Sequence, residues 1–169
     1  MNAPSSLDTQ DGNTRSEELQ LVSFRLGDEE YGVDILKVQE INRMITISRI
    51  PKAPDYVEGI INLRGKVIPI INLRKRFDLP PKEKDKKTRI IVVNIEGKIL
   101  GVIVDAVSEV LRIQSNTVEP PPPVATGKGA VYIKGVGKIG DKLLILLDLG
   151  RLFGEMTREI YDTLPGKES

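Results

Sequence analysis

The chain contains no histidine, no cysteine and no tryptophan. Without histidine or cysteine there is no thiol nucleophile, no Ser-His-Asp triad, no imidazole acid–base chemistry and none of the common zinc ligand sets. There is also no disulfide framework, which fits a reducing compartment. Aromatic residues make up only 4% of the sequence, too few for a base-stacking surface. Charge of one sign is lacking as well: 25 basic and 24 acidic residues leave a formal +1, so nothing in the total draws the chain to nucleic acid or anionic lipid. No apolar run approaches the roughly 20 residues of a membrane-spanning helix. The polar stretch 1–18 has no apolar segment of a signal peptide. The composition therefore reads as that of a soluble, intracellular protein with one core or two small ones in 169 residues.

What is present is a succession of short apolar segments punctuated by glycine and proline. Residues 1–17 read as a disordered tail. Val22, Phe24 and Leu26 alternate with polar neighbours as a half-buried strand, Gly27-Asp28-Glu29 turns it, and Tyr31-Gly32-Val33 returns. Ile35, Val38 and Ile41 recur at helical spacing, and a strand is expected over 45–50. Pro80 to Thr88 is a charged connector. Arg89 to Ile95 is a nearly unbroken apolar run suited to a strand buried on both faces, followed by a turn at Glu96-Gly97-Lys98 and a strand over 99–104. Pro120 to Pro123 form a stiff spacer. Ala130–Lys134 and Leu143–Leu149 flank a glycine-rich hairpin, and a terminal helix follows from Arg151.

Two internal likenesses bear on architecture. Ile-Ile-Asn-Leu-Arg occurs at 60–64 and again at 70–74, with Gly65 between the copies and Pro69 marking an edge strand. Phe24–Ile41 can be laid over Val93–Val110, placing Gly32 on Gly101, Val38 on Val107 and Glu40 on Glu109; Ile70–Phe77 overlays Leu146–Phe153. Both overlays run in the same order, which favours two equivalent halves, each a small β-barrel. Gly135-Val136-Gly137-Lys138-Ile139-Gly140 matches a dinucleotide-binding pattern literally, but an apolar strand follows it rather than a helix, so it reads as a hairpin. Asp34, Glu40, Asp105 and Glu109 fit neither a paired-carboxylate nor a calcium spacing and read as surface charges or ion-pair partners. Ile35, Val38, Ile41, Leu100, Val104, Val107 and Val110 are candidates for apolar surface between the barrels, or for ordinary core. The alternative function is a small β-barrel binding nucleic acid, which the scarce aromatics and neutral charge disfavour.

Asn62-Leu63-Arg64-Gly65, the long run Gly27 to Ile41, and Gly101 to Leu111 together resemble the CheW family of bacterial chemotaxis coupling proteins, over about Leu19 to Phe153. The resemblance implies two intertwined five-stranded SH3-like barrels, all-β apart from short helices and a C-terminal helix. The first barrel is expected at about 26–86 and the second at about 87–149 with exchanged terminal segments, in a domain spanning 18–155, and 156–169 as helix and tail. It implies a non-enzymatic adaptor that joins the cytoplasmic tips of methyl-accepting chemoreceptors to the histidine kinase CheA, without cofactor, metal, nucleic acid or membrane insertion. Such an adaptor is expected to be monomeric when isolated, multivalent in arrays, and cytoplasmic at membrane-bound receptors. The receptor groove is implied at Ile35, Val38, Glu40, Leu100, Val107 and Val110, the ion pair at Glu40 and Arg64, the CheA contact at Ile47, Gly59, Gly65 and Val67, and a second ring contact at Glu119 and Val124. At this length neither a phosphotransfer and ATP-binding apparatus nor a receiver domain is expected, which leaves the stand-alone adaptor.

Overall fold

In the computed structural model residues 16–121 and 132–162 are described. Ten strands form two five-stranded sheets. The first comprises β3 (Val38–Arg43), β6 (Arg89–Ile95), β7 (Lys98–Val104), β5 (Lys66–Asn72) and β4 (Val57–Leu63) in that spatial order. The second runs β8 (Ala106–Gln114), β1 (Glu18–Leu26), β2 (Glu29–Asp34), β10 (Lys142–Leu147) and β9 (Ile133–Ile139). A short helix α1 (Leu73–Arg76) follows β5, and α2 (Leu149–Asp162) follows β10.

The two sheets repeat one another strand for strand, as the overlays require. Ile70 faces Gly101 across the parallel β5–β7 pair, and Leu146 faces Gly32 across β10–β2. Val38 pairs with Val93 just as Val107 pairs with Phe24, and each of these ladders carries a bulge beside that pair. Single bridges Ser48–Ile60 and Glu119–Val136 complete the correspondence.

Barrel membership differs from a division near residue 86. β6 and β7 lie with β3–β5, while β1 and β2 lie with β8–β10, so the break falls after β7. The cause is the parallel pairing of β5 with β7 and of β10 with β2, which a chain cannot make between sequence neighbours joined by a tight hairpin. Other expectations change locally. Ile35–Lys37 is a single 3₁₀ turn and Val38–Arg43 is a strand, so the spacing of Ile35, Val38 and Ile41 belongs to no helix. Only Ser48 of the segment 45–50 makes a ladder contact. β5 is flanked on both sides; Pro69 is tolerated because β7 pairing begins only at Ile70. The glycines 135 and 137 lie within β9 and the turn is at Gly140. The terminal helix starts at Leu149, where Asp148 accepts from the Arg151 amide at 3.0 Å. Ser16 and Glu17 are not loose: they hydrogen-bond to Gln114, Ser115 and Asn116 at the end of β8. The start of the tail, the second half of the proline spacer (122–123) and the first residues of the expected strand at 130 lie outside the described residues.

Packing follows from strand alternation. Ile91, Val93 and Ile95 of β6 face a core shared between the sheets with Phe24, Leu26, Tyr31, Leu100, Phe153 and Met156. Ile90 and Val92, on the other face, fill the first barrel with Ile61, Ile68 and Ile70. Leu21, Leu144 and Leu146 fill the second. β6 is buried on both faces because it separates two hydrophobic layers, as its unbroken apolar run suggests. Arg76 of α1 lies between the rings of Tyr56 and Tyr132, 5.4 and 5.2 Å from their centroids, and ties the two sheets further.

Candidate functional site

The two Ile-Ile-Asn-Leu-Arg segments sit on adjacent antiparallel strands and end in the same local device. Asn62 Oδ1 accepts from the Gly65 amide at 2.9 Å, and Asn72 Oδ1 accepts from the Lys75 amide at 3.2 Å. In each case the side chain replaces the backbone partner that is lost where the strand stops. After that the segments part. The first closes a two-residue hairpin in which Arg64 and Gly65 have φ of 52° and 88°, the geometry that matches strand twist. The second opens α1 and sends Arg74 inward, where Nε lies 3.2 Å from Asp105 Oδ1 and Nη1 donates to Pro80 O at 2.9 Å.

Arg64 donates to Glu40. Glu40 lies on β3 and Arg64 on the β4–β5 turn, and β3 and β4 are the opposite margins of the first sheet. The pair therefore clasps the curled sheet where it closes on itself, and it is exposed enough (side chains 68% and 24% accessible for Arg64 and Glu40) to be a surface feature. The second barrel lacks it, because Gly140 stands where Arg64 stands in the first and has no side chain to reach Glu109. Instead Lys138 lies 3.2 Å from Glu119.

The expected groove residues divide. Ile35, Val38 and Val107 are half-buried and rest on the shared core, and Val110 is exposed on β8. Leu100 is fully buried within that core and presents no surface, unlike the expectation for it. Its inward direction follows from Val93–Leu100 pairing in the middle of the sheet. Leu36 was not expected and is the most exposed large apolar side chain among the described residues, at 86%. Asp34 turns it outward: Oδ1 accepts from the Leu36 amide at 2.9 Å and caps the 3₁₀ turn. A helical reading put Leu36 off the apolar stripe and hid it; only the turn geometry reveals it.

Of the residues expected at a kinase contact, Gly65 is at the hairpin tip with open space around it and Val67 is 49% exposed beside it. Val67 joins Ile45, Thr46, Ser48 and Ile60 around a shallow depression of about 460 Å³. Ile47 is half-buried against the first barrel core. Gly59 is buried, and a Cβ there would lie 2.2 Å from Ser48 O; this glycine is required by packing, not by surface chemistry. Glu119 is exposed, and Val124 lies outside the described residues. Among the described residues no cluster of His, Cys, Asp or Glu side chains is arranged to hold a metal ion, and no helix is long and apolar enough to cross a membrane.

Two fused β-barrels with a shared core, surface apolar patches and a clasped hairpin define a scaffold-type protein that presents surfaces. A CheW-like domain family model matches residues 20–156. The chain is 45% identical over 141 residues to the chemotaxis protein CheW of Treponema pallidum, covering 81% of this chain and 83% of that one. It is 38% identical over 153 residues to CheW of Klebsiella aerogenes, covering 90% and 91%. The crystal structure of the scaffolding protein TtCheW from Thermoanaerobacter tengcongensis superposes with a TM-score of 0.75 at 44% identity, over 90% of this chain and 98% of that one. This chain belongs to the CheW family of chemotaxis coupling proteins.

Proposed function

We propose that this protein acts in the cytoplasm as a non-enzymatic adaptor, joining the cytoplasmic tips of methyl-accepting chemoreceptors to the histidine kinase CheA. The observation that carries the reading is the placement of Glu40 and Arg64. Their pair joins the strand bearing Val38 to the hairpin beside Val67, so two apolar surfaces meet at one clasp. Ile35, Leu36, Val38, Val107 and Val110 would take an amphipathic receptor helix, and the face around Ile45, Ile47, Gly65 and Val67 would take the regulatory domain of CheA. Glu119 would supply a further contact in rings. Each interface is small, and linked contacts gain strength in an array through effective concentration.

The test is a pull-down with the isolated regulatory domain of CheA, comparing wild type with Gly65→Asp. Nothing lies within 4 Å of a Cβ at Gly65, and aspartate tolerates positive φ better than most residues, so the variant folds at a cost of about 1 kcal/mol. Binding by wild type and at least about a tenfold loss in the folded variant, or about 1.4 kcal/mol, is expected. Equal binding would remove the hairpin from the contact, and no binding by wild type would reopen the partner.

Arg64→Ala separates geometry from stability. The pair is exposed, so its loss is expected to change stability by no more than about 1 kcal/mol in urea titration. Kinase control by receptor in a reconstituted mixture should fall much further. A variant that is unfolded, or that signals normally, would contradict this assignment.

A further inference from the structure

The two walls of the apolar groove are built alike, and each ends in an arginine. In β3, Val38 and Ile41 stand opposite Val93 and Ile91, which face the shared core, so both lie on that side of the sheet. Alternation puts Arg43 on the same side, two residues beyond Ile41. In β8, Val107 and Val110 stand opposite the core residues Phe24 and Val22, and Arg112 follows Val110 at the same interval. Ile41 is 40% exposed and Val110 55%, so the apolar stripe of each wall is open up to its arginine. Arg43 and Arg112 are exposed as well, and among the described residues neither has a carboxylate within ion-pair distance. The first wall carries more charge. Arg43 lies directly opposite Arg89, and like charges so placed weaken a strand pair. Arg89 Nη1 donates to Lys86 O at 2.7 Å and to Thr88 O at 2.9 Å, which spends one nitrogen and leaves the donors of the others. The acids nearest in sequence are taken. Arg64 donates to Glu40, and Asp85 accepts from Lys82 Nζ at 2.9 Å and from the Lys87 amide at 2.8 Å.

We propose that Arg43, paired with Arg89, selects an amphipathic helix that carries a carboxylate beside its apolar stripe. The groove reading given above supplies the helix, and this inference rests on it; the charge that the helix must bring is what the arginines add. Ile41 and Arg43 are about 7 Å apart along the strand, and four residues of a helix rise about 6 Å. A helix lying along β3 with an apolar side chain over Ile41 therefore brings the residue one turn away over Arg43. A carboxylate there fits the planar guanidinium fork and relieves the repulsion between the two arginines. Arg112 offers the same recognition on the second wall, with a single cation. Nucleic acid is the wrong occupant, because β3 and β8 contain no aromatic ring on which a base could stack.

The experiment is amide NMR of the full ¹⁵N-labelled chain titrated with designed helical peptides. One carries an apolar stripe of leucines with glutamates one turn to either side of the central leucine; two others have glutamine or lysine in place of the glutamates. All should move the Val38, Ile41, Val107 and Val110 amides, and the glutamate peptide should bind about fivefold tighter than the glutamine one. Raising salt from about 0.1 M to about 1 M, over which the screening length falls from about 10 Å to about 3 Å, should remove that difference. Arg43→Gln should remove it too, and Arg43→Glu should favour the lysine peptide over the glutamate one. Neither variant should melt lower than wild type, since each lifts the repulsion across from Arg89. Groove amides that move equally with the glutamate and glutamine peptides would overturn the selection and leave the groove standing. Groove amides that no peptide moves would overturn both. Stronger movement of the Arg43 amide by a DNA duplex or by phosphatidylserine vesicles than by the glutamate peptide would overturn a helix as the occupant.

Discussion

Asp105→Ala is expected to lower stability by about 3 kcal/mol, far more than loss of the exposed Glu40–Arg64 pair. Asp105 stands between β7 and β8, where the chain crosses from one sheet to the other. Its Oδ1 accepts from Arg74 Nε, and its Oδ2 accepts from the Gly27 amide at 2.8 Å in the β1–β2 turn. The side chains of Asp105 and Arg74 are only 15% and 14% accessible. Alanine leaves a largely buried guanidinium without its counter-ion and a turn amide without its acceptor, which costs more than a surface pair because water does not reach in to replace them. Asp105→Asn keeps an acceptor for Gly27 but not the charge, and should lie between wild type and alanine. Equilibrium urea unfolding of the three proteins checks the order. A loss below about 1 kcal/mol for alanine would mean that the pair is screened like a surface one.

Gly59→Ala is expected to cost a similar amount, about 3 kcal/mol, and for a different reason. The residue has φ of 153°, and an added Cβ would meet Ser48 O at 2.2 Å and Ile47 Cγ2 at 2.6 Å. The first contact is backbone and can yield only if the Ser48–Ile60 bridge opens, with its hydrogen bonds of 2.9 and 2.8 Å. Gly135 is the counterpart in the second barrel. There the nearest atom is Val118 Cγ1 at 2.5 Å, a side-chain methyl that can turn aside, and Glu119 O is 2.9 Å away. Gly135→Ala should therefore cost less than Gly59→Ala, by thermal unfolding of the two variants side by side. Equal costs would mean that the bridge at Ser48 is not rigid.

Several features were legible because they depend on neighbours in sequence. The nearly unbroken apolar run Arg89–Ile95 suits a strand between two apolar layers, and β6 is one. The hairpin at Gly65 and the connector over 80–88 followed from glycine, proline and charge. The overlay of 24–41 on 93–110 survived in detail, down to Gly32 and Gly101 facing equivalent partners. What failed were readings that took periodicity as conformation. The spacing of Ile35, Val38 and Ile41 resembles one helix face, yet a bulged strand on a curled sheet brings its side chains round in the same way.

The sequence by itself determined the β class, the twofold repetition, the turns, and the family to which the chain belongs, because these rest on local patterns and on words shared with relatives. Only the tertiary structure decided that β6 and β7 join the earlier strands, that Leu100 is buried in the shared core while Leu36 stands out from the surface, and that Arg64 clasps a barrel margin while Arg74 is largely buried. The two arginines end identical pentapeptides. Their roles differ because partners distant in sequence, Glu40 for one and Asp105 for the other, are placed by strand pairing and not by neighbouring residues.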